Sequence, residues 1–266
     1  MKRKSLILFS GLSLVLGLAL LAGCGKKEEE QPAAAPAAAS APAPAATPID
    51  PATAASVSGT VKLDGAAPKA AKIDMSQDPA CKGTNMAENV VAANGDLANV
   101  FVYVKEGLGN RTFDVPKDAI TLDQSGCKYH PHVMGVMAGQ TVKIVNSDPT
   151  THNIHPTPKD NREWNESQSP GAPAINQSFP HEEIAIPVKC NIHPWMKGYI
   201  AVFDHPYFTV TGKDGSFDLK NVPPGNYMLV AWHELYGTNE QPVTIGPMES
   251  KTLHITFHAA SAAHGS

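Results

Sequence analysis

Helical periodicity is almost missing from this chain. Beyond residue 56, apolar residues alternate in short runs between frequent turn signals, which excludes a helical bundle and points to β-strands. A cationic excess is missing too: 21 Lys and Arg stand against 25 Asp and Glu, a formal charge of −4, which argues against a nucleic-acid partner. No apolar run is long enough for a membrane span. The longest, 6–21, has sixteen residues broken by Gly and Ser, and it follows Lys2-Arg3-Lys4 in the arrangement of an export signal. Removing that signal takes away three cations and moves the charge from −4 to −7. Residues 24–56 have almost no bulky apolar side chain; rich in Ala and Pro after Lys26-Lys27-Glu28-Glu29-Glu30, they cannot build a core and are expected to form a disordered, partly extended tether.

What the chain does have is a concentrated set of metal donors. Cys190-Asn191-Ile192-His193-Pro194-Trp195-Met196 offers a thiol, an imidazole and a thioether within one short loop, and His152-Asn153 lies upstream. Ile184, Ile186 and Val188 alternate along 179–190, so Cys190 is expected on their inward face. A tight loop after it can turn His193 and Met196 toward the same point. Upstream, Gln140–Asp148 reads as an alternating strand closed by turn residues. If Ile154 points into a core, His152 does likewise and His155 points out, which makes His152 the fourth donor and His155 the alternative. Two imidazoles, a thiolate and a weak axial thioether suit copper cycling between Cu(I) and Cu(II). Zinc, the competitor, seldom uses a thioether.

Val145-Asn146-Ser147-Asp148, His152-Asn153-Ile154-His155 and Cys190-x2-His193-Pro194-Trp195-Met196-Lys197-Gly198 together resemble a cupredoxin, and among cupredoxins amicyanin and its plastocyanin-like relatives. The resemblance covers roughly residues 120–203. It implies one type 1 copper with His152, Cys190 and His193 as equatorial ligands and Met196 axial. It also implies that the Asn153 backbone N–H donates to the Cys190 sulfur, a contact that tunes a metal's potential. In such a fold the loop histidine reaches the surface through an apolar patch, so Trp195 is expected to be an exposed electron-exit and docking residue, with inward packing as the alternative. Pro187-Val188-Lys189 stands where the family usually has aromatic residues, and Pro187 suits an edge strand.

Leu21-Ala22-Gly23-Cys24 resembles a bacterial lipobox, which implies cleavage after residue 23 and lipidation of Cys24. Lipid chains anchor without spanning. The expected location is the cell envelope, facing the periplasm or cell surface, with the outer membrane preferred where the cell has one. Of the four cysteines, Cys24 and Cys190 are then engaged, and Cys81 with Cys127 makes a disulfide in an oxidising compartment, two free thiols being the alternative.

The remaining chain fits an all-β protein of one or two sandwiches. Asp214-Gly215-Ser216-Phe217 with Val222-Pro223-Pro224-Gly225-Asn226-Tyr227 resembles the carboxypeptidase regulatory-like, transthyretin-type sandwich, a motif nearly silent on function. Such modules begin with a Gly-x-Val strand, and Gly59-Thr60-Val61 lies far upstream. The expected plan is therefore a signal (1–23), a tether (24–56), a β segment (57–110) belonging to the second sandwich, the Greek-key cupredoxin sandwich (111–203), the transthyretin-like or Ig-like sandwich (204–258) and a tail (259–266). A separate C-terminal module is the rival. His130 and His132 are either a second metal or interaction site or ordinary polar residues. Trp232-His233-Glu234 reads as structural, since nothing nearby supplies an oriented nucleophile. His254, His258 and His264 read as strand-face and tail residues.

Three functions compete. One is a lipid-anchored blue copper protein passing electrons to or from a c-type cytochrome or an oxidoreductase, not itself an enzyme because protein fills every coordination position. The others are a copper carrier or buffer and an adhesion or scaffold protein.

Overall fold

The computed structural model describes residues 45–259, so the export signal, Cys24, most of the tether and His264 lie outside the described residues. Among the described residues there is no helix. The strands are β1 (Ala55–Asp64), β2 (Ala92–Ala93), β3 (Asp96–Leu97), β4 (Phe101–Glu106), β5 (Ile120–Ser125), β6 (Lys128–His130), β7 (Val133–Met137), β8 (Val142–Asn146) and β9 (His152–Pro156). They continue with β10 (Glu166–Gln168), β11 (Ile175–Gln177), β12 (Glu183–Lys189), β13 (Lys197–Phe203), β14 (Phe208–Val210), β15 (Ser216–Val222), β16 (Gly225–His233), β17 (Gly237–Ile245) and β18 (Ser250–His258). They form four sheets. Two are built from β5–β13, in orders β11-β8-β5-β6 and β10-β9-β12-β13-β7, with β5–β8 and β7–β13 parallel. The other two pair the chain's ends: β14-β4-β16-β17, and β15-β1-β3-β2 with β18 parallel along β1.

Strands β1–β4 thus pair with β14–β18, and the sandwich of β5–β13 interrupts that second one. Gly59 lets β1 and β18 meet, since a Cβ there would stand 1.9 Å from the Leu253 carbonyl oxygen. The tether's last part is ordered. Thr47 N donates to Thr112 O (2.8 Å), Thr112 Oγ1 to Ala45 O (2.6 Å), and Ile49 packs on the core. Residues 45–54 are therefore bound to the second sandwich, and Ala55 and Ser56 already belong to β1; the expected boundary at 56 lies too late.

Each sandwich has its own core, with Val61, Leu97, Leu229 and Ile255 in one and Leu122, Ile144, Ile154 and Ile200 in the other. A third buried layer joins them: Phe101, Tyr103, Val133, Ala201, Phe203 and Val230. It explains why Phe101–Val104 and Ile200–Phe203 are continuous apolar runs, because β4 and β13 bury both faces. Burying one such side chain contributes roughly 1.5–3 kcal/mol, so the sandwiches share a core layer rather than a linker.

Strand β12 departs from simple alternation. A bulge at Ala185 (φ 62°) shifts its register, sending Ile184 to the shared layer while Ile186 and Val188 stay in the core above Cys190. Pro187 is not on an edge strand, as β12 lies between β9 and β13. The β9 ladder covers only Val188 and Lys189, and Pro187 contributes just its carbonyl, accepting from Thr157 N at 2.9 Å. Its missing N–H falls where that ladder ends.

Candidate metal centre

Asn146, Ser147 and Asp148 turn the chain out of β8, and β9 then buries His152 and Ile154 completely while His155 stays half-exposed. After β12, Cys190 opens a tight loop closed by Met196 N to His193 O (2.9 Å) and Cys190 N to Met196 O (3.2 Å). The turn carries Cys190, His193 and Met196 inward, each at most 3% exposed. Ligand atoms of His152, Cys190 and His193 lie within 4.8 Å of one another. His152 Nδ1 stands 2.9 Å from His193 Nδ1, and Cys190 Sγ stands 3.9 Å from the latter. Met196 is buried at the end of the same loop.

The backs of both rings face carboxylates. His152 Nε2 lies 2.8 Å from Asp148 Oδ2, and His193 Nε2 lies 2.9 Å from Asp78 Oδ2. Each acid is fixed in turn: Asp148 accepts from Gly126 N and Cys127 N (both 2.7 Å), Asp78 from Thr150 Oγ1 (2.7 Å) and Ala80 N (2.8 Å). The donations from Thr150, Ala80 and His193 hold the Asp78 carboxyl down at about 2, so it is an anion. Burial holds His152 below the ordinary imidazole value, outweighing the Asp148 hydrogen bond. An ionised carboxylate only accepts, so the Asp78 anion takes the proton of His193 Nε2, and donation from His152 Nε2 to Asp148 would leave both Nδ1 lone pairs facing each other. Two lone pairs at 2.9 Å need a cation or a proton between them. With a buried sulfur beside them, the donor set is borderline-to-soft, which fits copper or zinc rather than calcium or magnesium.

Around the sulfur, His193 N donates to Cys190 Sγ at 3.4 Å. That backbone donor is not Asn153, as the resemblance had implied. Asn153 contributes its side chain: Oδ1 accepts from Asn191 N (2.7 Å) and from Cys190 Sγ (3.3 Å), while Nδ2 is held by Asn165 Oδ1 (2.7 Å). Residue 153 alternates away from the core in β9, and the Asn165 loop covers it there.

Comparison with solved structures finds copper-containing nitrite reductase (NirK) from Thermus scotoductus SA-01, at 20% identity over 37% of this chain and 25% of that one, TM-score 0.31. It also finds a purple cupredoxin from Nitrosopumilus maritimus, at 20% identity over 31% of this chain and 98% of that one, TM-score 0.27. Amicyanin from Paracoccus versutus matches at 24% identity over 38% of this chain and 96% of that one, TM-score 0.29. The chain thus spans a quarter of the nitrite reductase's length. No family model matches, and no curated protein matches by sequence. These neighbours fit an all-β sandwich.

Other sequence candidates fall elsewhere. His155 is held by Asn191 Oδ1 (3.0 Å) and Glu163 Oε1 (2.6 Å), away from the cluster. Cys81 and Cys127 are joined in a disulfide, Cα–Cα 5.6 Å. His132 pairs with Glu234 across the sandwich junction and His130 is exposed; neither joins a donor cluster among the described residues. His233 is buried, its Nδ1 accepting from Leu235 N (3.1 Å). Trp195 is not an exposed aromatic: it is half-buried against the core, donates from Nε1 to Cys127 O at 3.1 Å, and lies 5.0 Å from the His193 ring. The His193 edge does not reach the surface either, being 2% exposed beneath Asp78.

Asp78 and Asp148 are functional candidates that the sequence reading passed over. Asp148 stands in the Asn146-Ser147-Asp148 turn, four residues before His152. Asp78 stands three residues before Cys81, and the disulfide carries it to the site.

Proposed function

We propose that this chain is a blue copper protein that passes single electrons between redox partners in the cell envelope, held there by lipid on Cys24. His152, Cys190 and His193 would be the equatorial ligands and Met196 the axial one. The observation that carries the reading is the pair of inward Nδ1 atoms 2.9 Å apart beside the buried Cys190 sulfur. Bound there, copper would supply a one-electron Cu(II)/Cu(I) couple. The residues do the rest. Asp148 and Asp78 hold the rings with Nδ1 inward, as outer carboxylates do for metal-ligating histidines. The Cys190–Met196 loop and the 73–85 segment keep water out. Four protein donors leave no open position for a substrate, so the protein is read as an electron carrier and not an enzyme. Burial of every donor favours retention of the metal over hand-off to another protein, which weighs against a carrier. A c-type cytochrome or an oxidoreductase is the kind of partner that fits.

The test is Cu(II) titration of metal-free protein followed by absorption. One equivalent should give an intense blue thiolate-to-copper band that bleaches on reduction, and Cys190→Ser should abolish it, since an alcohol cannot replace a soft thiolate. A colourless Cu(II) complex in the unmodified chain would overturn the proposal.

A further inference from the structure

Residues 71–87 belong to neither sandwich's sheets. They leave β1 and return to β2 through a stem, where Ile73 N donates to Asn85 O and Ala87 N to Ala71 O, both at 2.8 Å, and Lys72 bridges Met86. The tip of this excursion lies on the candidate metal centre and is attached to it in four different ways. Cys81 is bonded covalently to Cys127. Met75 is buried in the same core as Cys190 and Met196. Asn85 Nδ2 donates to Gly126 O at 2.6 Å. Asp78 takes the Thr150 hydroxyl and the His193 Nε2–H on one oxygen, at 2.7 and 2.9 Å. A loop needing only to connect two strands has no use for a disulfide, a buried side chain and two hydrogen bonds that fix its tip beside the candidate metal centre. Ordering it costs conformational entropy at each residue.

We propose that 73–85 is a fixed cap over the metal centre and that Asp78 is a positioning residue for His193, holding its Nδ1 toward the metal and withdrawing its Nε2 edge from any partner. This rests on the copper reading above. Two consequences follow from the geometry. First, His193 cannot swing out of the site without breaking a charge-assisted hydrogen bond, so metal loss is slowed. Loss of an outer-shell partner typically costs roughly 10–100-fold in metal affinity. Second, with the His193 edge covered, the route from the centre to solvent runs through the Trp195 ring 5.0 Å away. That ring lines a cleft of about 430 Å³ together with Pro194, Tyr199 and His132.

The experiment compares the full mature chain with Asp78→Ala and Asp78→Asn. In metal-free protein, nitrogen-15 NMR of the His193 ring should report a fully protonated Nε2 in the unmodified chain and a mixture of Nε2–H and Nδ1–H in Asp78→Ala. In copper-loaded protein, transfer of Cu(I) to bicinchoninate should run roughly 10–100-fold faster in Asp78→Ala. Asp78→Asn keeps the shape and loses the charge, so it should fall between in transfer rate and raise the reduction potential, about 59 mV for each tenfold preferential weakening of Cu(II). A circular dichroism spectrum matching the unmodified chain establishes that each variant is folded; should Asp78→Ala fail this, Asp78→Asn decides alone. A transfer rate within twofold of the unmodified chain together with an unchanged His193 ring signal would overturn the proposal. If the unmodified chain binds no copper, the copper reading fails, and the metal-free NMR comparison still decides whether Asp78 sets the ring.

Discussion

Replacing Cys81 and Cys127 by Ala should lower the melting temperature of the metal-free protein by about 9 °C. The bond closes a loop with a sequence separation of 46 residues, for which the chain-entropy relation gives about 4 kcal/mol at 25 °C. Residues 45–259 number 215, and at about 2.1 cal/mol/K per residue their unfolding entropy is about 0.45 kcal/mol/K. The ratio is the expected shift. It applies to the whole molecule because the closed loop runs from the cap through β2, β3 and β4 of one sandwich into β5 of the other, so the unfolded chain gains freedom across both. Differential scanning calorimetry on the double variant and the unmodified chain measures it directly. A drop under about 3 °C, with one cooperative transition in both, would refute the reasoning and mean that the cap opens without cost to the rest of the fold.

His152→Ala should abolish the blue band while His155→Ala keeps it, because His155 is occupied by Asn191 and Glu163; absorption spectra of the two variants decide. Stability of the metal-free protein should fall as pH drops from about 6.5 to 4. Burial depresses His233 from 6.5 to about 4, so across that window the unfolded state binds the extra proton, at a cost of about 3 kcal/mol once complete. The depressed carboxyl of Asp78 adds a further loss as pH falls through about 2. Urea melts across pH read both. Trp195→Lys should slow electron exchange with a redox partner several-fold and leave the blue band in place, as stopped-flow mixing would show. It should also lower the melting temperature, because the hydrogen bond to Cys127 O is worth about 1 kcal/mol.

The three clustered donors were legible because local rules placed them. Alternation along β9 put His152 beside Ile154, and a loop too short for a strand turned His193 back toward Cys190. Strand propensity, turn residues and the missing helical period likewise gave the all-β class. Other features depend on what packs against a strand rather than on the strand itself. The bulge at Ala185 moved Ile184 off the face that strict alternation assigns it. Phe101–Val104 and Ile200–Phe203 were continuous apolar runs because a second sandwich covers their outer faces. Ile49 is the one bulky apolar side chain in 25–56, and it marked the point where the tether joins a core.

Asp78 shows a different limit. Nothing within its own stretch, Asp78-Pro79-Ala80-Cys81, separates it from an ordinary turn in which a carboxylate accepts a backbone N–H two residues on, and it does make that bond, to Ala80. Only the disulfide turns this local feature into a long-range one. Once Cys81 is joined to Cys127, a residue three positions away is confined to about 10 Å of Cys81 by the reach of an extended chain. Cys127 N in turn donates to Asp148, the acid behind His152. The bond thus links the two carboxylates that orient the two histidines, one through the cap and the other through a backbone amide. A cysteine pairing read together with the acids near its ends therefore locates outer-shell residues that a search for metal ligands passes over, because such acids never touch the metal.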